Sequence, residues 1–338
     1  MELSNDLLQT MREALEEELR SQLNHLAHQP YELYHEMLAY HMGWIGEGAG
    51  PKARGKRIRP TILLLSTAAS GGDWKKALPA AAAVEFVHNF SLIHDDIEDN
   101  SQYRRGRLTV WAKWGLSQGV NAGDALFTLS HLAIHRLADQ LSPEKTLESA
   151  KLLLETCLAL TKGQFLDISF ETRYEISIAE YLTMIEGKTA ALFAACAQLG
   201  SLIANCERTR QAHFHRFGKS LGLAFQVVDD LLGIWGDEAL TGKSTSSDLV
   251  SGKKTYPVIL GLQASGAFAA RWQHGNIQPE EALELARLLE QEGIRAATQA
   301  EAHRLTQQAL AALQAAQPIG AAGEALYQMA AQMSQRIQ

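Results

Sequence analysis

Residues 86–99 read FVHNFSLIHDDIED. No glycine or proline interrupts them, and the apolar content before the acids predicts a helix that is buried for most of its length. Its end collects Asp95, Asp96, Glu98 and Asp99. On a helix Asp95 and Asp99 share one face, with Asp96 turned from Asp95 by about 100°. Carboxylates stacked in this way repel one another unless a cation sits between them. Oxygen-only ligands suit Mg²⁺, which keeps several waters and shares its other positions with phosphate. A solvated acidic face is the plainer reading, but the apolar run leading into the acids argues against it, since charge at the end of a buried helix must be compensated. Arg104, Arg105 and Arg107 follow closely and add anion-binding capacity.

A second stretch repeats the pattern. Residues 225–237 read FQVVDDLLGIWGD, an apolar helix delivering Asp229 and Asp230, with Lys243, Lys253 and Lys254 further on. Two such helices in one chain point to a shared metal cavity rather than to two coincidental surface patches.

Working outward, the chain of 338 residues is 46% apolar and 20% charged, with Lys+Arg 31 against Asp+Glu 38 and a net charge of −7. That composition is globular, and its acidic balance argues against a nucleic-acid partner, which needs a basic face. Helix signals recur. Gln278-Pro279-Glu280-Glu281 opens a segment with Leu285, Leu288 and Leu289 at helical spacing, and Gly293 closes it. Alternating β-branched runs are nearly absent, so the expected fold is all-α, a helical bundle around a deep central cavity. No linker or repeat divides it, and a single domain over 1–338 is expected.

The opening MELSNDLLQTMREALEEELR is acidic where an export signal is basic and apolar, and a cytoplasmic location is expected. Residues 189–206, the most apolar stretch, are broken by Gln198, Gly200, Ser201 and Asn205, and read as a buried core helix. Cys157, Cys196 and Cys206 sit in apolar surroundings without metal-type spacing and read as small buried hydrophobes. Residues 50–56, GPKARGK, have P-loop spacing, but Arg57 stands where Ser or Thr must hold Mg²⁺ and no strand precedes. Residues 236–244 end in GKS with one residue too many between the glycines. Neither is a nucleotide loop.

Taken together, GKRIRP at 55–60, HDDIED at 94–99, RRG at 104–106, GDALF at 123–127, GKT at 187–189 and FQVVDD at 225–230 resemble the trans-isoprenyl diphosphate synthases, or polyprenyl synthetases. The likeness runs over about 52–262, with C-terminal helices over 279–338. It implies an all-α homodimer that condenses isopentenyl diphosphate head-to-tail with an allylic diphosphate (dimethylallyl, geranyl or farnesyl) and releases diphosphate, without stable insertion into a membrane. It implies Mg²⁺, roughly three ions per site with diphosphate bound. Carried over by position, Asp95, Asp96 and Asp99 resemble the first aspartate motif and Asp229 and Asp230 the second, with Asp95, Asp96, Asp99 and Asp229 as metal ligands. Arg104, Lys188 and Lys243 correspond to cations on the allylic diphosphate. Lys56, Arg59, His88 and Arg105 correspond to the isopentenyl diphosphate site, and Thr189 and Gln226 to the lining of the reacting region.

One position departs from the family pattern. The second motif is commonly DDxxD, but its fifth place here is Gly233, so the supporting carboxylate is expected from Asp237 or its role from water. The spacing of Asp229, Asp230, Gly233 and Asp237 also falls in register with the metal triad of class I terpene cyclases. That rival reading has no use for Lys56, Arg59, His88 and Arg105. A third reading is a non-catalytic regulatory subunit, which has no need of repelling carboxylates. Phe90 and Ser91, five and four residues before Asp95, resemble the chain-length positions of archaeal-type geranylgeranyl diphosphate synthases, making C20 the first expectation and C15 the second.

Overall fold

The computed structural model describes residues 2–236, 247–275 and 277–335, and nearly all of them are helical. In chain order α1 is Glu2–Asn24, α2 Glu32–His41, α3 Pro51–Arg54, α4 Ile58–Ala69, α5 Leu78–Glu98, α6 Val110–Trp114, α7 Leu116–His135, α8 Pro143–Glu171, α9 Ile178–Ile185, α10 Ala191–Ile203 and α11 Arg208–Trp235. Short helices at Ser247–Val250, Tyr256–Ala264 and Ala267–Trp272 lead to Ala282–Gln291, Ile294–Ala315 and Gly320–Gln335. The all-α expectation holds. Among the described residues the sole sheet is a hairpin of β1 (Tyr103–Arg104) and β2 (Arg107–Leu108), paired antiparallel with Arg104 opposite Arg107. Its turn residues Arg105 (φ 53°) and Gly106 (φ 75°) both lie in the left-handed region, as a two-residue hairpin of this hand requires. The sequence reading did not anticipate it.

The chain divides into two compact units. One gathers the described residues of 1–154, 196–211 and 318–326; the other gathers those of 155–195, 212–317 and 327–338. In the first, α5 is the central helix and packs against α1, α4 and α7. Residues 80–87 are all buried, Glu85 among them at 3% exposure, so this helix is enclosed on every side. Four consecutive alanines, Ala80 to Ala83, let its neighbours approach closely.

In the second unit, Ser177 and Glu180 form a reciprocal capping box that starts α9. Tyr181, Met184 and Ile185 of α9 then pack with Val227, Val228 and Leu231 of α11, and with Tyr256, Ile259 and Leu305. A second cluster joins Ile234 to Leu249, Val258, Phe268, Leu285 and Leu289. The segment opened by Pro279 is helical as read, with Leu285 and Leu289 buried and Gly293 at φ 77°. The apolar stretch from Thr189 became α10, buried at Phe193, Cys196, Ala197 and Leu199. Among the described residues no helix is long and apolar enough to cross a membrane.

Candidate active site

In the first unit the candidate residues gather around the end of α5. Asp95, Asp96 and Glu98 occupy the last turn and Asp99 caps it, with no basic residue in that turn. Carboxylates at the negative end of a helix dipole are doubly disfavoured, by the dipole and by one another. Asp96 is buried at 2% exposure. Arg104, delivered by β1, donates from Nε to Asp96 Oδ1 at 2.8 Å. The other oxygen, Oδ2, is buried without a hydrogen-bond partner. Burial pushes the Asp96 carboxyl up to about 6 against the pull of Arg104, and Asp95 and Asp99 raise it further. Asp95 is half-buried and Asp99 exposed. An unpartnered carboxylate oxygen beside two more carboxylates is the donor set a hard divalent cation takes. Among the described residues no three acidic, histidine or cysteine side chains are grouped to hold a metal by themselves, and Mg²⁺ does not require that, since waters and substrate phosphate fill its remaining positions. These residues fit Mg²⁺.

The basic candidates of this unit fall into two kinds. Arg59 Nη1 lies 3.3 Å from His88 Nε2, so α4 and α5 bring these two together. Arg105 donates to the Ala53 carbonyl at 2.7 Å, and its guanidinium occupies the space over Gly55, where a Cβ would come within 2.6 Å of a guanidinium nitrogen. The glycine of GKRIRP thus admits the middle arginine of the RRG turn, which joins two motifs far apart in sequence. Lys56 is exposed on the same loop. His88 is driven well below the ordinary histidine range by burial, then by Arg59, Arg105, Arg104 and Arg57. It is therefore neutral, and the charge of the cluster resides on the arginines.

Arg57, inside the same motif, does something else. It pairs with Glu16 at 2.8 Å and with buried Glu85 at 2.6 Å, and donates to the Met42 carbonyl at 3.2 Å. It is a tie between α1, α4 and α5. Sequence reasoning missed it, although Glu85 inside the apolar run AAAAVEFV signalled a buried partner.

The second unit builds a chain of hydrogen bonds. Thr189 Oγ1 donates to Gln226 Oε1 at 2.7 Å, and Gln226 Nε2 donates to Asp230 Oδ1 at 2.9 Å. Asp230 Oδ2 accepts from the Tyr181 hydroxyl and from the Tyr256 backbone N–H. With that set of donors Asp230, 4% exposed, is an internal fixture, whereas its neighbour Asp229 is exposed. Burial still lifts the Asp230 carboxyl to about 6. Lys188 and Thr189 lie on a π-helical turn, Glu186–Ala190, between α9 and α10; such turns recur at functional sites. Lys188 is ion-paired with Asp167 of α8. Gly163 of α8 lies under it, and a Cβ there would fall 2.0 Å from the Lys188 backbone nitrogen.

Tyr181, Tyr256 and Asp167 were not singled out in the sequence, although Asp167 in GQFLDISF has the same signature of an acid within an apolar run. Lys254 donates to the Phe170 and Glu171 carbonyls at 2.7 and 3.2 Å and so caps α8. Lys243 and Asp237 lie outside the described residues. Phe90, on α5, is half-buried; its ring is 4.8 Å from Phe127 of α7 and 5.7 Å from His94, and Ser91 beside it is also half-buried.

With this arrangement in view, the comparisons with known proteins are consistent with one another. The polyprenyl synthetase family model matches residues 50–289. Over 237 residues the chain is 43% identical to the (2E,6E)-farnesyl diphosphate synthase of Mycobacterium tuberculosis, a match that spans 70% of this chain and 65% of that relative, just under two thirds of its length. It is 40% identical over 270 residues to the geranylgeranyl diphosphate synthase of the same organism, covering 77% of this chain and 76% of the relative. Among solved structures, the polyprenyl synthetase from Streptomyces coelicolor A3(2) superposes with a TM-score of 0.87 at 35% identity, covering 97% of this chain and 99% of the other. The geranylgeranyl pyrophosphate synthetase from Pyrococcus horikoshii Ot3 gives 0.88 at 30% identity, with 98% of each chain covered. Since both aspartate motifs and the basic motifs between them fall inside residues 50–289, this chain belongs to the polyprenyl synthetase family of trans-isoprenyl diphosphate synthases.

Proposed function

We propose that the protein is a Mg²⁺-dependent trans-prenyltransferase that condenses isopentenyl diphosphate head-to-tail with allylic diphosphates, with geranylgeranyl diphosphate as the first expected product and farnesyl diphosphate as the second. The observation that carries this reading is the pairing of Arg59 with His88, with Arg105 set over Gly55 beside Lys56. These cations are additional to Arg104, which Asp96 already pairs. An enzyme that ionises one diphosphate and cyclises it needs no such second group; one that joins two diphosphates does.

In this reading Asp95, Asp96, Asp99 and Asp229 hold Mg²⁺, with Arg104, Lys188 and Lys243 on the allylic diphosphate. The ions supply charge stabilisation for a departing diphosphate. Lys56, Arg59 and Arg105 neutralise the diphosphate of the second substrate, while neutral His88 takes part by hydrogen bonding. Thr189 donates its proton to Gln226, and Gln226 donates one amide proton to Asp230. These bonds orient the two side chains so that the remaining lone pairs of Thr189 Oγ1 and Gln226 Oε1, the negative ends of their dipoles, face a developing allylic cation. Asp230 acts through Gln226 as a positioning residue. The double bond of isopentenyl diphosphate attacks, proton loss completes one C5 extension, and apolar walls keep water from the cation. Phe90 is the floor against which the growing chain stops.

We propose that the protein works as a homodimer. On α8, Leu147, Leu154, Leu158 and Phe165 are 69%, 49%, 57% and 70% exposed and recur at the seven- and four-residue spacing of a helix–helix seam. A second copy of this chain is the partner that would cover them.

The test is incubation of the purified protein with Mg²⁺, [¹⁴C]isopentenyl diphosphate and an allylic diphosphate. Elongated prenyl diphosphate, abolished by a chelator, is expected. A hydrocarbon or alcohol formed from the allylic substrate alone would identify a cyclase, and no product would identify a regulatory subunit.

A further inference from the structure

The family model begins at residue 50, and the segment just before it is held by a side chain to which the resemblance gives no role. Arg107 of β2 donates from each of its guanidinium nitrogens: Nη1 to the Tyr40 carbonyl at 2.8 Å, Nη2 to the Ile45 carbonyl at 2.7 Å and Nε to the Glu47 carbonyl at 2.9 Å. The guanidinium carbon lies 3.9 Å from the centre of the Tyr40 ring. The Tyr40 hydroxyl in turn donates at 2.9 Å to the carbonyl of Leu108, the next residue of β2. The loop is shaped to receive this arginine: Gly46 has φ 83°, and a Cβ there would fall 2.8 Å from the Tyr40 ring and 3.2 Å from Arg107 Nη2. Arg107 thus commits to main-chain carbonyls the donors that the sequence pattern offered to an anion.

The same stretch of chain leads into the second group of cations. The Gly50 N–H donates to the Gly43 carbonyl at 3.1 Å, and a Cβ on Gly43 would fall 2.5 Å from the backbone of Ala53 and Arg54. The Ala53 carbonyl accepts from Arg105, whose guanidinium lies over Gly55, and Lys56 follows. One hairpin therefore grips this loop at two places, Arg107 over residues 40–47 and Arg105 over residues 53–55.

We infer that Arg107 is a positioning residue for the isopentenyl diphosphate site, an inference that rests on the function proposed above. It acts through its neighbours rather than on substrate. By clamping residues 40–47 to the hairpin it sets Lys56 on the loop against Arg105 on the hairpin, so that a diphosphate meets cations already in place and does not have to order them. The fork is essential to this. Carbonyls at three points along a loop need a planar cation with several directed N–H groups, whereas lysine offers a point charge on a flexible stem. Arg104, opposite Arg107 in the ladder, is pinned separately by Asp96, which insulates the allylic side from the clamp.

The test compares Arg107→Met and Arg107→Lys with the wild type, as full chains, by steady-state kinetics with each substrate varied in turn and by hydrogen exchange over residues 42–56, with thermal melting as the fold check. Arg107→Met is expected to raise KM for isopentenyl diphosphate about tenfold, while kcat and KM for the allylic substrate stay within about twofold of the wild type and exchange over 42–56 quickens by local opening. Arg107→Lys keeps the charge without the fork, and its KM for isopentenyl diphosphate is expected within about threefold of that of Arg107→Met. A lysine variant with wild-type KM overturns the inference, since charge alone would then suffice. An equal rise in both KM values, or unaltered exchange over 42–56, overturns it as well. Should Arg107→Met fail to fold, Arg107→Lys decides by the same selective rise. A wild type that makes no saturable use of isopentenyl diphosphate would instead overturn the proposed function, and the exchange measurement, which needs no turnover, would still judge the clamp.

Discussion

Asp229 and Asp230 are adjacent in sequence and opposite in circumstance, one exposed and one enclosed by Tyr181, Gln226 and Tyr256. Composition and spacing give no means of telling them apart, because the distinction depends on which side of α11 the core lies; only the family resemblance singled out Asp229 as a metal ligand. The same holds for Arg57 and Arg59, a structural tie and a substrate candidate within one motif. What was legible is the motifs and the residues that the resemblance assigns; what was not is the internal work of Arg57 and Asp230, which depends on partners distant in sequence. Two predictions belong here. Asp95→Ala removes one of several repelling carboxylates from a helix end, so turnover is expected to fall by several orders of magnitude while the melting temperature stays equal or rises; near-wild-type rates would refute the assignment. Asp96 and Asp230 both have folded-state values of about 6 against 3.8 for a free aspartate. An acid whose folded value is raised carries no penalty below the unfolded value, and a growing one as pH climbs to the folded value. Burial holds His41, His88 and His215 below the ordinary histidine range, and these groups lose stability as the pH falls through 6.5. The aspartate effect is therefore read as a difference: on acidification from pH 7 to pH 5 Asp230→Asn is expected to lose more stability than the wild type, seen as a larger drop in its urea midpoint.

At the scale of elements, α5 was readable from its apolar length and terminal acids, and the helix after Pro279 from its start, stripe and stop. The β1–β2 hairpin was not, since two-residue strands carry no alternation; its only sign was a glycine after two arginines. The π-helical turn at 186–190 was equally hidden, because one extra residue in a helix leaves no mark on composition. Phe90 tests how α5 and α7 work as a pair. Its ring rests on Phe127, so the floor proposed at Phe90 is backed by a second aromatic rather than by a loop. Phe90→Ala is expected to lengthen the main product by at least one C5 unit, read by chromatography of the dephosphorylated prenols. An unchanged product would place the floor elsewhere.

For the whole molecule, the all-α class followed from helix punctuation and missing strand patterns. Its two compact units did not, because each gathers segments distant in sequence and no linker composition marks the exchange. The α8 seam carries the prediction at this scale. Replacing Leu158 and Phe165 together by glutamate places charge on the proposed dimer face, and sedimentation is expected to shift from dimer to monomer; an unshifted dimer would put the interface on another surface. A last consequence follows from Gly163, whose α-carbon is seated directly beneath the amide of Lys188. The height of that lysine is fixed by main chain resting on main chain, so alanine at 163 would act as a shim, lifting the GKT segment on the order of an ångström while sparing every functional group. A shimmed enzyme should still fold and saturate at ordinary substrate concentrations, yet turn over as much as a hundredfold more slowly, as misplacement on that scale can do.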